Sequence, residues 1–431
     1  MTKATSVIVF RNLRLFDGES DHLREDVEIV VEGDRIVGVV EGRATVPAAI
    51  EFDLGGRTLM PGLIDAHVHL MAVHLAASKN LDSPLTLLTA KSLPRIRNML
   101  GRGFTSVRDV AGADFGLRQA LAEGHVIGPR AFVGGPGLTQ TGGHADHRRR
   151  TDSRRDRDVN ANGVDFFARL VDGPDEMRIA VRDELRKGAD HIKLMAGGGV
   201  GSPHDNIDDY QFSTEEIRIA CEEAASRQRY VCAHTYGPLA VQRAVLNGVR
   251  TVEHCNLIDA ETAGIVRDCN AFVIPTIVCY EVTEEHGDAL GLSPFVMDKL
   301  RYVNEAGIRM LELCEQAGTR MGFGTDIMGE LEFAQSREFV IRARVQKPVD
   351  ILRSATSVNA EILQMQGKLG VVAPGAIADL IVVDGDPLAD ISLLDGQGEH
   401  LPLILQGGAL RRNRLGGSEV TGAGHATGAW I

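Results

Sequence analysis

Short runs of apolar residues alternate with amphipathic stretches through most of the chain. Eight of these runs have the length of buried strands: 63–70, 104–110, 131–135, 191–195, 229–236, 251–255, 272–276 and 321–326. Helical periodicity separates them, as in the segment from Ser213 to Arg227. This alternation predicts an α/β fold in which a parallel sheet closes into a (β/α)8 TIM barrel.

The two ends of the chain have a different pattern, with short strand-like runs separated by turns. One such run is Val-Glu-Ile-Val-Val at 27–31, and another is Ala-Asp-Leu-Ile-Val-Val-Asp at 378–384. Neither end is long enough to form a stable sheet alone, so we expect the two ends to pair. The predicted units are a composite β-sandwich from 1–61 and 366–415, a barrel over 62–365, and a tail over 416–431.

Composition agrees with a barrel plus a smaller module, because 431 residues exceed the roughly 250 that a barrel needs. The net charge of −13 argues against nucleic acid as the main partner. We see no apolar stretch of about 18 residues, which argues against a membrane partner. The N-terminus lacks the pattern of a signal peptide. We therefore expect a cytoplasmic protein, with a removed leader as the open alternative.

The six cysteines follow no regular spacing. Cys232, Cys255 and Cys279 lie in apolar runs that resemble strands, where a buried reduced thiol is the common arrangement. The sequence therefore does not indicate a disulfide framework.

His67 and His69 end an apolar run that a Pro-Gly turn introduces. Residues two apart on a strand point to the same side, so both imidazoles can converge on one divalent ion, and Asp65 repeats this phase. Four later strand-like segments end in further candidate ligands: Lys193, His234, His254 and Asp326. For any one of these residues, ordinary packing in the core is the alternative.

This ordered set resembles the amidohydrolase superfamily, whose binuclear members have His-x-His on strand one, a carboxylated lysine on strand four, histidines on strands five and six, and aspartate on strand eight. The resemblance spans nearly the whole chain and includes Pro-Gly-Ala-Ile-Ala-Asp-Leu at 374–380. It implies two divalent metal ions, Zn2+ being the first expectation and Mn2+ or Co2+ the alternatives.

By the same resemblance, His67, His69 and Asp326 hold one ion, and His234 and His254 hold the other. An unmodified Lys193 would repel a cation, so the resemblance implies that CO2 converts it to a carbamate that bridges the two ions together with a hydroxide. Asp326 then accepts the proton of that hydroxide and returns it to the leaving amine. Relatives are commonly homo-oligomers.

The segment Gly-Leu-Thr-Gln-Thr-Gly-Gly-His-Ala-Asp at 137–146 is similar to the Thr-Gly-Gly-His-Gly-Asp loop of one subgroup. This subgroup includes Xaa-Pro dipeptidases, carboxypeptidases acting on N-acyl amino acids, and ochratoxin-hydrolysing amidases, and it is related to imidazolonepropionase. Ala145 replaces the expected glycine. We predict that His144 donates to the substrate carbonyl oxygen, with Tyr236 as a second catalytic candidate and packing as its alternative.

A basic stretch follows in the same long loop: Arg148, Arg149, Arg150, Arg154, Arg155 and Arg157. Such a run is usually a solvated surface, but arginines near the site can also attract a substrate with a free carboxylate. His204 and Asp205 lie near the same predicted mouth, and the sequence assigns them no role.

The sequence thus predicts a metal-dependent amide hydrolase that releases a C-terminal amino acid from N-acyl amino acids or dipeptides, with ochratoxin-type amides inside that range. The expected partner is a small-molecule substrate with a free carboxylate. Hydrolysis of a cyclic amide, as in imidazolonepropionase or dihydropyrimidinase, is the alternative reaction. A non-catalytic barrel is a further alternative, although such relatives typically lose metal ligands and all six are present here.

Overall fold

The computed structural model describes residues 7–47, 49–148, 151, 167–202 and 204–415. The strands of this part of the chain are β1 (Val7–Leu15), β2 (Val27–Glu32), β3 (Arg35–Glu41), β4 (Ile50–Pro61), β5 (Leu63–Val68), β6 (Phe104–Asp109), β7 (Arg130–Val133), β8 (Gly137–Thr139), β9 (Ala168–Leu170), β10 (His191–Met195), β11 (Tyr230–Thr235), β12 (Thr251–His254), β13 (Phe272–Ile274), β14 (Arg320–Met321), β15 (Leu380–Val383), β16 (Leu403–Gln406) and β17 (Ala409–Asn413).

The helices of the same ranges connect and cover these strands. They are α1 (Ala77–Leu81), α2 (Leu85–Gly101), α3 (Phe115–Ala122), α4 (Pro174–Lys187), α5 (Thr214–Ala225), α6 (Pro238–Leu246), α7 (Ala260–Asp268), α8 (Ile277–Leu290), α9 (Pro294–Ala317), α10 (Arg337–Arg342), α11 (Pro348–Arg353) and α12 (Asn359–Ile362). None of these helices is long and apolar enough to cross a membrane.

Parallel strands form the barrel in two hydrogen-bonded groups. One group is β5-β6-β7, and the other contains β8 and β10 to β14. Asp190 N–H donates to Val133 O at 2.8 Å, which joins the groups at β7 and β10, and Ala66 N–H donates to Phe323 O at 2.8 Å, which closes the circle. β7 and β8 together occupy the third strand position around the barrel, and β5, β6 and β10 to β14 occupy the other seven. The predicted (β/α)8 barrel is therefore confirmed.

The eighth strand is shorter than the sequence predicted. Ladder pairing covers only Arg320–Met321, although Asp326 N–H still donates to His67 O at 2.8 Å. A Cβ placed on Gly324 would lie 2.7 Å from the Cβ of His67. The chain therefore passes too close to β5 for a side chain at this point, and regular strand geometry ends early.

The helix predicted from Ser213 to Arg227 is α5. Ser213 is its N-cap and accepts from Glu216 N–H, while the Glu216 side chain accepts from the Ser213 backbone. This capping box satisfies two otherwise unpaired donors, which explains why the helix begins where it does.

Strands from both chain ends form one mixed sheet in the order β17-β16-β15-β4-β1-β2-β3. The edge strand β3 also bonds to the segment before β15, since Ile36 N–H donates to Ala376 O and Ala378 N–H donates to Asp34 O, both at 2.9 Å. The sheet therefore curls round a closed apolar core. The predicted sandwich is thus one continuous curved sheet.

Candidate active site

The C-terminal ends of the barrel strands surround one pocket. Its described lining includes all six predicted ligands: His67, His69, Lys193, His234, His254 and Asp326. His144 and Tyr236 line it as well. Active sites of (β/α)8 barrels lie at this face of the fold, so the pocket is the candidate active site.

His67, His69 and Asp326 form a compact cluster. The Asp326 Oδ1 atom lies 3.2 Å from His69 Nε2 and 3.5 Å from His67 Nε2. One ligand atom from each residue lies within 4.8 Å of the other two. Asp326 has a φ of +53°, a left-handed conformation that is uncommon for a non-glycine residue and turns its side chain at the strand end.

His234 and His254 extend this cluster across the barrel. Their ring centroids are 4.6 Å apart, and that of His254 is 4.8 Å from that of His67. Lys193 projects from β10, next to β11 and His234, and is buried. The structure thus brings the six predicted ligand residues into one pocket.

Hydrogen bonds determine which ring nitrogen of each histidine faces the cluster. Since a carbonyl or carboxylate oxygen only accepts, His67 Nδ1 donates to Glu253, His69 Nδ1 donates to Ala111 O, and His234 Nε2 donates to Gly198 O. The other nitrogen of His67 and of His234 is left as an acceptor, whereas burial would lower the pKa of His69 but the nearby Asp326 raises it overall. An unprotonated nitrogen is the form that binds a metal ion.

The electrostatics of the cluster also suit a cation. Burial and the nearby Lys193 lower the pKa of His67 to about 3, and burial lowers the pKa of His254 to about 4, so both rings are neutral. Burial alone would raise the pKa of Asp326, but His67 and His69 lower it overall. The Oδ1 atom of Asp326 is buried and has no protein hydrogen-bond partner among the described residues. These residues therefore fit a bound divalent ion.

Arg108 and Glu253 lie directly behind His67, and the sequence interpretation missed both. Glu253 Oε2 accepts from His67 Nδ1 at 2.7 Å, and Arg108 donates to both oxygens of Glu253 at 2.9 Å. The sequence offered one indication of Glu253, which is its position: Thr251 and Glu253 alternate along the strand that ends at His254. A carboxylate one residue before a ligand is a candidate partner for another ligand.

His144 reaches the pocket from the loop after β8. Its ring stacks on His234 with centroids 4.2 Å apart, and its Nδ1 lies 2.6 Å from Ser202 Oγ. The Tyr236 hydroxyl lies 3.0 Å from that of Tyr280 at another side of the pocket. Both predicted donors therefore border the candidate metal cluster.

Asp65 does not belong to the metal cluster, although it shares the strand phase of His67. Its carboxylate accepts from the Thr325 hydroxyl at 2.6 Å and from Gln335 Nε2 at 2.9 Å. Burial raises the pKa of Asp65 to about 6. Asp65 thus links β5 to the chain that follows β14.

Of the basic stretch, only Arg148 lies within the described residues. Arg148 donates to Asp146 from Nε at 2.8 Å and from its terminal nitrogen at 2.6 Å, and Arg148 is not among the described pocket-lining residues. Its neighbour His204 contacts the Arg148 carbonyl. The other arginines of the stretch lie outside the described residues: Arg149, Arg150, Arg154, Arg155 and Arg157. The tail 416–431 lies outside them too.

All six cysteines are free thiols, as expected from the sequence. Cys232, Cys255 and Cys279 are buried. Cys279 lies in α8, however, and not in a strand-like segment, and it lines the pocket. Its apolar neighbours did not distinguish a buried helix from a strand.

This protein combines a closed (β/α)8 barrel with a candidate metal cluster at the C-terminal ends of its strands. These two features place it in the class of barrel enzymes with a candidate metal centre. The family model described as the amidohydrolase family matches residues 58–410, which include the whole barrel. The chain therefore belongs to the amidohydrolase family.

Three known proteins illustrate the similarity. The ochratoxinase of Aspergillus niger is 28% identical over 410 residues, which are 91% of this chain and 84% of the relative. A crystal structure of an amidohydrolase is 45% identical, with a TM-score of 0.93 over 95% of this chain and 99% of the other. A prolidase complexed with N-methylphosphonate-L-proline is 44% identical, with a TM-score of 0.91 over 95% of this chain and 100% of the other.

Proposed function

We propose that this protein is a binuclear metal-dependent amide hydrolase that releases a C-terminal amino acid from dipeptides and N-acyl amino acids. The observation that carries the proposal is the convergence of four histidines, Lys193 and Asp326 on one buried pocket. The 44% identical prolidase supports proline as a leaving amino acid. The 28% identical ochratoxinase supports an ochratoxin-type amide as a second substrate type.

The proposed ligands divide into two groups. His67, His69 and Asp326 would hold one divalent ion, and His234 and His254 would hold the other, with Zn2+ as the first candidate. Two cations bound there would supply a hydroxide nucleophile at neutral pH. Burial lowers the pKa of Lys193, which increases the fraction of neutral amine, the form that would react with CO2 to give a carbamate.

The side chains around the cluster then have distinct tasks. Asp326 accepts a proton during attack on the amide carbonyl and returns it to the leaving nitrogen. His144 donates a hydrogen bond to the carbonyl oxygen as negative charge develops, and the Tyr236 hydroxyl is the second donor. Apolar side chains in the pocket wall exclude water and contact the substrate: Leu75, Leu81, Phe167, Leu292, Val296, Leu300 and Met328.

The test compares N-acetyl-L-proline with its C-terminal amide, using protein loaded with Zn2+. A carboxylate that pairs with pocket donors contributes about 1 to 3 kcal/mol, so we expect kcat/KM to fall roughly 5- to 150-fold for the amide. The same comparison with N-acetyl-L-phenylalanine tests the second leaving group. Equal rates for acid and amide forms, together with opening of cyclic amides, would favour the cyclic-amide alternative.

A further inference from the structure

The loop between β10 and α5 is held from behind by a buried lysine of α9. Lys299 Nζ donates to three carbonyl oxygens of this loop, those of Gly199 at 2.6 Å, Ser202 at 2.8 Å and Asp205 at 3.1 Å. Its charge lies 3.6 Å from Asp205 Oδ1. An ammonium group offers three donors, so these carbonyls use its full capacity.

Asp205 completes the attachment from the other side of the loop. Its Oδ2 atom accepts from Gly199 N–H at 2.8 Å and from Gln211 Nε2 at 3.3 Å. Gly199 is therefore fixed through its N–H by Asp205 and through its carbonyl by Lys299. Because Lys299 and Asp205 are both buried and opposite in charge, removing either one leaves the other uncompensated.

The fixed Gly199 forms one wall of the space that the His144 ring occupies. A Cβ on Gly199 would lie 1.9 Å from His144 Nδ1, so only glycine allows this approach. The ring also stacks on His234. His144 is thus wedged between a candidate metal ligand and a loop whose position depends on Lys299.

Ser202, in the same loop, contacts one ring nitrogen of His144. Its Oγ atom lies 2.6 Å from His144 Nδ1 and accepts from Ala145 N–H at 3.2 Å. A hydroxyl group can donate as well as accept, so this contact is compatible with donation from Ser202 to Nδ1. That arrangement would leave Nε2 to carry the hydrogen that a carbonyl oxygen requires.

We propose that Ser202 and Lys299 are positioning residues for His144: Ser202 donates to Nδ1, and Lys299 holds the loop that carries Ser202, so that Nε2 is the donor presented to the substrate. This inference rests on the proposed hydrolase function for its catalytic consequence. The geometry of the contact and the choice of tautomer can be measured without turnover.

The first experiment records the 15N ring resonances of histidine in the Zn2+-loaded wild-type protein, with His144 assigned by the signals lost in His144→Asn. We expect hydrogen on Nε2 of His144 in the wild type and a mixture of both tautomers in Ser202→Ala. Hydrogen on Nδ1 in the wild type would overturn the proposal, whether or not any substrate is hydrolysed.

The second experiment measures kcat and KM for N-acetyl-L-proline. Losing one oriented donor should lower kcat about 5- to 20-fold in Ser202→Ala and in Lys299→Met, with KM changed less than about twofold. The double variant should lose little more than either single variant, because both act through one loop. Ser226→Ala and Lys368→Met, which change the same residue types at the exposed surface, should match the wild type.

The outcomes separate the two proposals. If the wild type has the expected tautomer but hydrolyses no N-acyl amino acid, the hydrolase proposal fails and the positioning of His144 stands. If the wild type is active and both single variants keep the wild-type kcat, the positioning proposal fails. Metal content and circular dichroism of each variant identify any loss that comes from misfolding.

Discussion

Glu253 and Arg108 form an ion pair in the centre of the barrel, with both side chains fully buried. Arg108 also donates to Ala66 O at 2.6 Å and to Thr251 Oγ1 at 3.0 Å, so the pair links three strands. Although burial raises the pKa of Glu253, Arg108 and His67 lower it far more, and the carboxylate stays ionised. The orientation of His67 therefore depends on a charge balance within the barrel.

Glu253→Gln tests that dependence. The amide keeps the shape but removes the charge behind His67, and loss of such a partner typically weakens metal binding by about 10- to 100-fold. Competition with a chromophoric chelator measures the affinity for Zn2+. The exposed Glu305 provides the matched control as Glu305→Gln. Unchanged affinity in Glu253→Gln would show that His67 is oriented by other contacts.

Lys193→Ala should lose metal and activity together. Without the amine there is no carbamate to bridge two ions, so we expect elemental analysis to find fewer than two ions per chain. Added acetate or propionate should restore part of the activity by supplying a carboxylate. The exposed Lys368 serves as the control in Lys368→Ala. A fully active Lys193→Ala variant would exclude this lysine from the site.

Asp326→Asn should separate substrate binding from chemistry. The amide occupies the same space but cannot accept a proton, so we expect kcat to fall by about 100-fold or more. The affinity for N-methylphosphonate-L-proline, measured by calorimetry on the Zn2+-loaded protein, should change less. If kcat stays within a few-fold of the wild type, another group transfers the proton.

We expect the buried Glu338 carboxyl to make the free energy of unfolding depend on pH, in comparison with Glu338→Gln. Burial raises its pKa to about 8 from the usual 4.5, so between these pH values the folded state keeps a proton that the unfolded state releases. Its stabilising contribution is full below pH 4.5 and is lost as pH rises toward 8. At about 1.4 kcal/mol per pKa unit, the wild type should lose roughly 5 kcal/mol relative to Glu338→Gln.

Urea unfolding of both proteins at pH 5, 7 and 9 measures this difference. Both carry the same candidate metal ligands, so the pH dependence of metal binding cancels in the comparison. Parallel stability curves would mean that Glu338 titrates at its ordinary pKa. The Val278 N–H, which donates to Glu338 at 2.7 Å, lies in the first turn of α8, so ionisation of Glu338 acts at the start of that helix.

The convergence of the candidate ligands was predictable because each one lies in or just after an apolar strand-like run. Parallel strands of a barrel finish at one face, so Lys193 and His254 had to approach each other once the strand positions were known. Strand phase alone does not account for Asp65. Strand phase places it on the side of His67, but the close passage of the chain at Gly324 brings Thr325 to its carboxylate instead.

Contacts between distant loops could not be predicted from the sequence. Lys299 and Ser202 are 97 residues apart, and no periodic pattern connects a helix lysine with the carbonyl of a glycine-rich loop. Arg148 illustrates the same limit at short range. Its partner Asp146 is two residues away, and the basic character of the stretch did not point to this pairing.

The curved terminal sheet can be completed only late in synthesis, because it combines β1 to β4 with β15 to β17. Thr58 in β4 donates to Gly385 O, and these residues are 327 positions apart. Until β15 leaves the ribosome, β4 therefore has an unpaired edge next to β5, the strand that carries His67 and His69. Exposed strand edges attract other chains, so we expect the nascent chain to be prone to aggregation until β15 is made.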